Sequence, residues 1–191
     1  MRVLVLEATV MEVEWVRGHE TLATGVGPVE AAVRTAQRLA HNAPDAVLHI
    51  GIAGARQASG LQIGEIIIGT ASHYSDLSAQ IPSLVTMALP DPELFARIAA
   101  LLPTAKQLPI ATSAAIGGGH NCNVEAMEGF AVLRAAVHAG VPCVEVRAIS
   151  NMVEESDRSK WDFAGGLQAI AIAARTVLDG LERDGADSIR R

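Results

Sequence analysis

The sequence predicts a single α/β domain built on a central, mixed and mostly parallel β-sheet flanked by helices. Three observations lead there. Short apolar runs rich in Val and Ile alternate with amphipathic stretches of helical period, the order expected of a largely parallel sheet covered on both faces. At 191 residues the chain fits one domain with a sizeable core. Half of its residues are hydrophobic and only 19% are charged, which excludes a disordered chain.

The elements follow in order. RVLVLEA reads as a short buried strand and HETLATG as a second. Gly25-Val-Gly-Pro opens a helix with Pro28 in its first turn, where a missing N–H costs nothing. That helix, PVEAAVRTAQRLAHN, shows an apolar stripe of Val29, Ala32, Val33, Ala36 and Leu39. AVLHIGIAGA is a continuous apolar strand running into a glycine turn, and EIIIGTA is a β-branched strand. IPSLVTMALP reads as a further strand that ends at Pro90, and DPELFARIAALL as a helix capped by its Asp. QLPIATSAA is a strand that passes into the loop IGGGHNCN. VEAMEGFAVLRAAVHAG has helical spacing throughout, PCVEVRAIS is a strand, and residues 164–181 form the last helix. Residues 1–182 are read as the domain and 183–191 as a charged, frayed C-terminal tail.

Composition narrows the function classes. A net charge of −6 with 3% aromatics lacks the basic, stacking face of a nucleic-acid binder. No apolar run is long enough for a bilayer, and VLVL before Glu7 is too short for a secretion signal. The two cysteines, Cys122 and Cys143, have no paired spacing, as expected of a reduced, cytoplasmic protein.

In such sheets ligands sit beyond the carboxyl ends of the strands. There the chain places Thr9 and Glu12, the GVGP and GIAGA turns, TSAAIGGGHN, and Ser150-Asn151, followed by the polar run EESDRSKW. Two carboxylates, an amide and two glycine turns outline a small-molecule site. Individual motifs are weaker. GVGP lacks the third glycine of a dinucleotide fingerprint and GIAGA the lysine of a phosphate loop, so both read first as tight turns. His73 with Asp76, or His120 with Cys122, lacks the spacing of a zinc site, and no metal or other cofactor is expected. Ser113 carries no nucleophile motif. Glu128 stands out: in a helix over VEAMEGF it falls on the stripe of Val124, Ala131, Val132 and Ala135. A carboxylate there must be near solvent, paired, or waiting for a ligand.

GVGPVEAA after a strand, the IGIAGA turn, VEAMEG opening a helix and VRAISN closing a strand occur here in one order. The set resembles the nucleoside phosphorylase and nucleosidase superfamily, which includes the methylthioadenosine/S-adenosylhomocysteine nucleosidases. It is most similar to the futalosine hydrolases of menaquinone biosynthesis, through ATVMEVE, VEAMEGFAV and RAISNMVEESDRSKW. The likeness extends to about Trp161.

The resemblance implies cleavage of a purine N-ribosidic bond, without cofactor, in a protein that is at least a homodimer. A mean hydropathy of +0.29 fits a chain with some surface hidden in an interface. Glu12 would handle the attacking water, near the backbone of Ala53 and Gly54. Met127 and Glu128 would lie under the ribose, with Glu128 inward because the sugar supplies its missing donors. Asn151 would address the purine edge and Ile116 would stack on the base. Phosphorylases of the hexameric type hold phosphate with an arginine and a serine where this chain has His49 and Ile52, which favours water as acceptor. The segments between Asp76 and Asp91 and over 116–123 are trimmed for the family, leaving room for a bulky 5′ group. An adenine nucleosidase, a phosphorylase and a non-catalytic nucleoside-binding module remain the alternatives.

Overall fold

A computed structural model describes residues 1–9, 16, 18–79, 81–119 and 122–189, with 184–189 described through their backbone. The strands are β1 (Val3–Glu7), β2 (Glu20–Ala23), β3 (Ala46–Ala55), β4 (Ile66–Tyr74), β5 (Met87–Ala88), β6 (Lys106–Thr112), β7 (Val124–Ala126) and β8 (Cys143–Met152). The helices are α1 (Pro28–His41), α2 (Pro92–Leu101), α3 (Gly129–Ala139) and α4 (Phe163–Ile189).

The sheet is mixed, with five of the eight strand pairings parallel. It is also closed on itself over part of its width. β3 pairs with β8, β8 with β4, β4 with β6, β6 with β7, and β7 returns to β3. β1 and β2 extend the sheet outward from β3, and β5 from β4. All five closed strands contribute to one apolar cluster, including Ala53, Ile67, Ile110, Val124 and Ile149, which fills the closed part. A second cluster packs Leu48, Ile50, Val144 and Val146 beneath α4 and α2. A third packs Leu4, Leu6 and Val47 beneath α1 and α3. The strands are thus covered on both faces, which is why they read as unbroken apolar runs.

Three local expectations are corrected. The predicted stripe of α1 is rotated: Pro28, Ala31, Thr35 and Leu39 are buried, while Val29 is 71% and Val33 59% exposed. Hydropathy alone cannot separate a core-facing stripe from an outward one when both carry small or apolar residues. IPSLVTMALP contributes only Met87–Ala88 to the sheet, because Ile81 to Leu84 forms a turn closed by the Leu84 amide on the Ile81 carbonyl. The last helix continues past Leu181 to Ile189, since its charged end contains no proline to stop propagation. The Asp91 cap is as predicted, its side chain accepting the Leu94 amide at 2.9 Å.

Candidate active site

The stretch VEAMEGF is a strand, a two-residue joint and a helix start. Val124–Ala126 is β7, hydrogen-bonded to β6 on one side and β3 on the other. The expectation of one helix over this stretch is therefore corrected: short apolar runs suit either period, and here sheet neighbours on both sides decide it. Glu128 is the N-cap residue of α3, not a member of an apolar stripe shared with Val124.

An N-cap side chain ordinarily satisfies an amide of its own first turn. Glu128 does not. Thr112 of β6 does so instead, its Oγ1 accepting the Phe130 amide at 2.8 Å. Phe130 stacks on Tyr74 with ring centroids 5.1 Å apart, holding the helix start over β4. The Glu128 carboxylate is thereby free to turn inward, where it is 4% exposed. Its Oε1 accepts the Gly27 amide at 3.0 Å and its Oε2 lies 3.5 Å from Arg147 Nη2. Glu128 is thus paired before any sugar arrives, which corrects the expectation that its donors come only from the ligand.

Behind Glu128 lies a buried charged network that the sequence reading missed. Arg147 and Glu145 alternate on β8, so both side chains leave the same face of the strand. Arg147 Nε donates to Glu145 Oε1 at 2.9 Å, and Nη2 also donates to His49 Nε2. His49 donates from Nδ1 to the Leu6 carbonyl at 3.1 Å, which leaves Nε2 as the acceptor and the ring neutral. Burial, and then the Arg147 charge, hold its pKa well below the usual histidine value. Ser72 Oγ donates to Glu145 Oε2. The available signal was two opposite charges alternating in an otherwise apolar strand, an arrangement that a buried strand tolerates only when they are paired.

Asn151 stands at the end of β8, beside the ladder position of Gly54. The pairing passes from Ala53↔Ile149 to Gly54↔Asn151, so Ser150 is an extra residue in the strand, a bulge of the kind that re-aims side chains. Ser150 Oγ reaches Asn151 Oδ1 at 3.0 Å and the Ala53 carbonyl at 3.3 Å. Asn151 Nδ2 donates to the Met152 carbonyl at 3.2 Å. Ser150 thus holds the amide oxygen and the Met152 carbonyl takes one N–H of the amide. A Cβ on Gly54 would stand 3.1 Å from Asn151 Nδ2 and from Val153 Cγ2, so this strand end has room for glycine only if both neighbours stay in place.

The loop after β6 is organised by two carboxylates. Asp76 accepts from Ser113 Oγ at 2.8 Å and from the Ala114 amide at 2.6 Å, giving Ser113 a turn-forming role. Glu125 accepts the Gly117 and Gly119 amides at 2.6 and 3.0 Å. Ile116, between them, is 45% exposed. Met127 is half-buried at the joint before α3. Glu12, assigned to water by resemblance, and His120 lie outside the described residues. Ile52 packs toward Gly166 at the start of α4, and His49 is engaged with Leu6 and Arg147. The structure therefore joins Glu128 to Gly27 and Arg147, and Asn151 to Gly54. It leaves Ile116 at the surface.

A surface hollow elsewhere is lined by Leu89, Pro90, Leu133, Val137 and Pro142. It opens at the far end of α3, about 16 Å along the helix from Glu128. Its one ionisable carboxylate, Asp91, is occupied as the cap of α2.

Comparison with known proteins agrees with this architecture. Residues 21–181 match the model of the phosphorylase superfamily. The futalosine hydrolase of Streptomyces coelicolor is 31% identical, over 86% of this chain and 80% of its own. That of Acidothermus cellulolyticus is 32% identical, over 79% and 71%. Among solved structures, an S-adenosylhomocysteine nucleosidase from Streptococcus pyogenes superposes with a TM-score of 0.84 at 23% identity, covering 95% of this chain and 97% of that one. The fold, the ordered motifs and the family match together place the chain in the phosphorylase superfamily.

Proposed function

We propose that the protein is a purine nucleoside N-ribosyl hydrolase that releases hypoxanthine from futalosine, with water as the acceptor. The observation that carries this reading is the inward Glu128, fixed at one oxygen by Gly27 and at the other by Arg147. A carboxylate has about four acceptor sites, and two taken here leave others for the vicinal hydroxyls of a ribose. Those bonds are charge-assisted and strengthen as the sugar becomes oxocarbenium-like. Glu12 orients the water at the Ala53–Gly54 backbone. Met127 lies under the sugar, and Ile116 covers the base.

Asn151 meets the departing purine with its side-chain amide. An amide cannot surrender a proton, so it suits a 6-oxopurine, which holds the departing charge on its own oxygen. The likeness to futalosine hydrolases supports the same substrate class. Hydrolysis is favoured over phosphorolysis because Ile52 offers phosphate no hydrogen bond. The protein works in the cytoplasm as a homodimer or higher homo-oligomer, joined through the outward stripe of Val26, Val29 and Val33 on and before α1.

The test is chromatography of released bases after incubation with futalosine, aminofutalosine, inosine and methylthioadenosine. Hypoxanthine from futalosine should appear fastest. Faster release of adenine from methylthioadenosine would overturn the substrate assignment, and no release from any of them would leave only a nucleoside-binding module.

A further inference from the structure

Glu145 is fully buried on β8, two residues before Arg147. Its carboxylate occupies the space a Cβ on Gly129 would need, 2.1 and 2.3 Å from that position, so it lies directly under the start of α3. Arg147 is held more closely by Glu145, at 2.9 Å, than by Glu128, at 3.5 Å. A further polar neighbour of the guanidinium, His49, receives its hydrogen bond as a neutral ring. One positive charge is thus shared unequally between two carboxylates. A fold that needed only to anchor Arg147 could use a neutral acceptor, since a second buried carboxylate adds a large desolvation cost. The charge has a consequence for the site. Counted by formal charge, the trio of Glu128, Glu145 and Arg147 sums to one net negative charge. Without Glu145, Arg147 would neutralise Glu128 alone.

We propose that Glu145 is a positioning residue for N-glycosyl cleavage, drawing Arg147 away from Glu128 so that Glu128 keeps its charge for the developing ribosyl cation. This rests on the nucleoside-hydrolase reading of the site. Ser72, donating to the other Glu145 oxygen, supports the same carboxylate. Because positive charge appears on the sugar only in the transition state, the contribution acts on turnover more than on substrate binding.

The test uses Glu145→Gln, which keeps the shape and the acceptor for Arg147, and Ser72→Ala as an independent, milder variant. Two readouts are taken: the split between kcat and KM, and affinity for a purine nucleoside analogue with a cationic aza-sugar against its neutral carbocyclic counterpart. Glu145→Gln should lower kcat about tenfold with KM changed less than about twofold, since a charge behind the contact acts more weakly than a direct one. Binding of the cationic analogue should weaken by a similar factor while the neutral one is unaffected, and Ser72→Ala should move both readouts in the same direction by less. If Glu145→Gln does not fold, Ser72→Ala decides by the same comparison. Unchanged kcat, or equal weakening of both analogues, would overturn the role of Glu145. A native enzyme that cleaves no purine nucleoside would instead overturn the reading on which it rests.

Discussion

The Gly27 amide donates to Glu128 Oε1 at 3.0 Å, tying the turn before α1 to the start of α3 across 101 residues of sequence. Gly27 adopts φ 91° and ψ 164°, a region that essentially only glycine occupies. A Cβ there would meet nothing within 4 Å, so any penalty is backbone strain alone. Gly27→Ala should therefore cost about 1–3 kcal/mol in denaturant unfolding. It should also raise KM, because the amide that orients Glu128 must move. Unfolding and KM both matching the native protein would show that the turn tolerates a side chain.

Asn151 is expected to select the base. Asn151→Asp places an ionised carboxylate against a 6-oxo group and should reduce the rate on futalosine relative to aminofutalosine. The ratio of initial rates on the two substrates, measured for both proteins, is the readout. An unchanged ratio would remove Asn151 as the selector.

His49 links the site to acid stability. Its folded pKa lies well below 6.5, so as the pH falls through 6.5 the unfolded chain takes up a proton that the folded chain refuses. The stability His49 contributes is complete above that value and is lost toward lower pH, at up to about 1.4 kcal/mol per pH unit for one proton. Denaturant midpoints measured on either side of pH 6.5 should show this slope, and His49→Gln should flatten it. An identical slope in the variant would mean that the ring takes up its proton alike in the folded and unfolded chains, against the lowered folded pKa.

The outward stripe of α1 predicts assembly. Val29 and Val33, one helical turn apart, form an exposed apolar pair that an interface would cover. Val29→Glu with Val33→Glu should reduce the particle seen by light scattering toward the 20.0 kDa chain. A native protein already of that mass would remove the interface.

Much of the fold was legible because β3, β8 and α2 each carry one unambiguous signal: long apolar runs for the strands, and an Asp cap before Pro92 for the helix. Where a segment satisfied two patterns, periodicity misled. VEAMEGF fits a helix as well as it fits a strand with a joint, and only β3 and β6 on either side settle it. The phase of α1 failed for a related reason, since its two valines, Val29 and Val33, face outward while Pro28, Ala31, Thr35 and Leu39 fill the inner face. Pattern singled out Glu128 and placed Asn151 past a strand end, but their roles came from resemblance to a family. Arg147 and Glu145 were passed over, and His49 was weighed only as a replacement for a phosphate-holding arginine, because a strand read for hydropathy hides its charged members. Their pairing joins two strands brought side by side, β3 and β8, across 98 residues of sequence, which no local window contains.

The central claim is that water, not phosphate, accepts the sugar. It is tested most directly by following futalosine consumption in buffer from which phosphate has been removed enzymatically, and then with phosphate added back. Complete conversion to hypoxanthine is expected without phosphate, with no acceleration on its addition and no sugar 1-phosphate by phosphorus NMR. Turnover that stops when phosphate is removed and resumes with sugar 1-phosphate as product would contradict it.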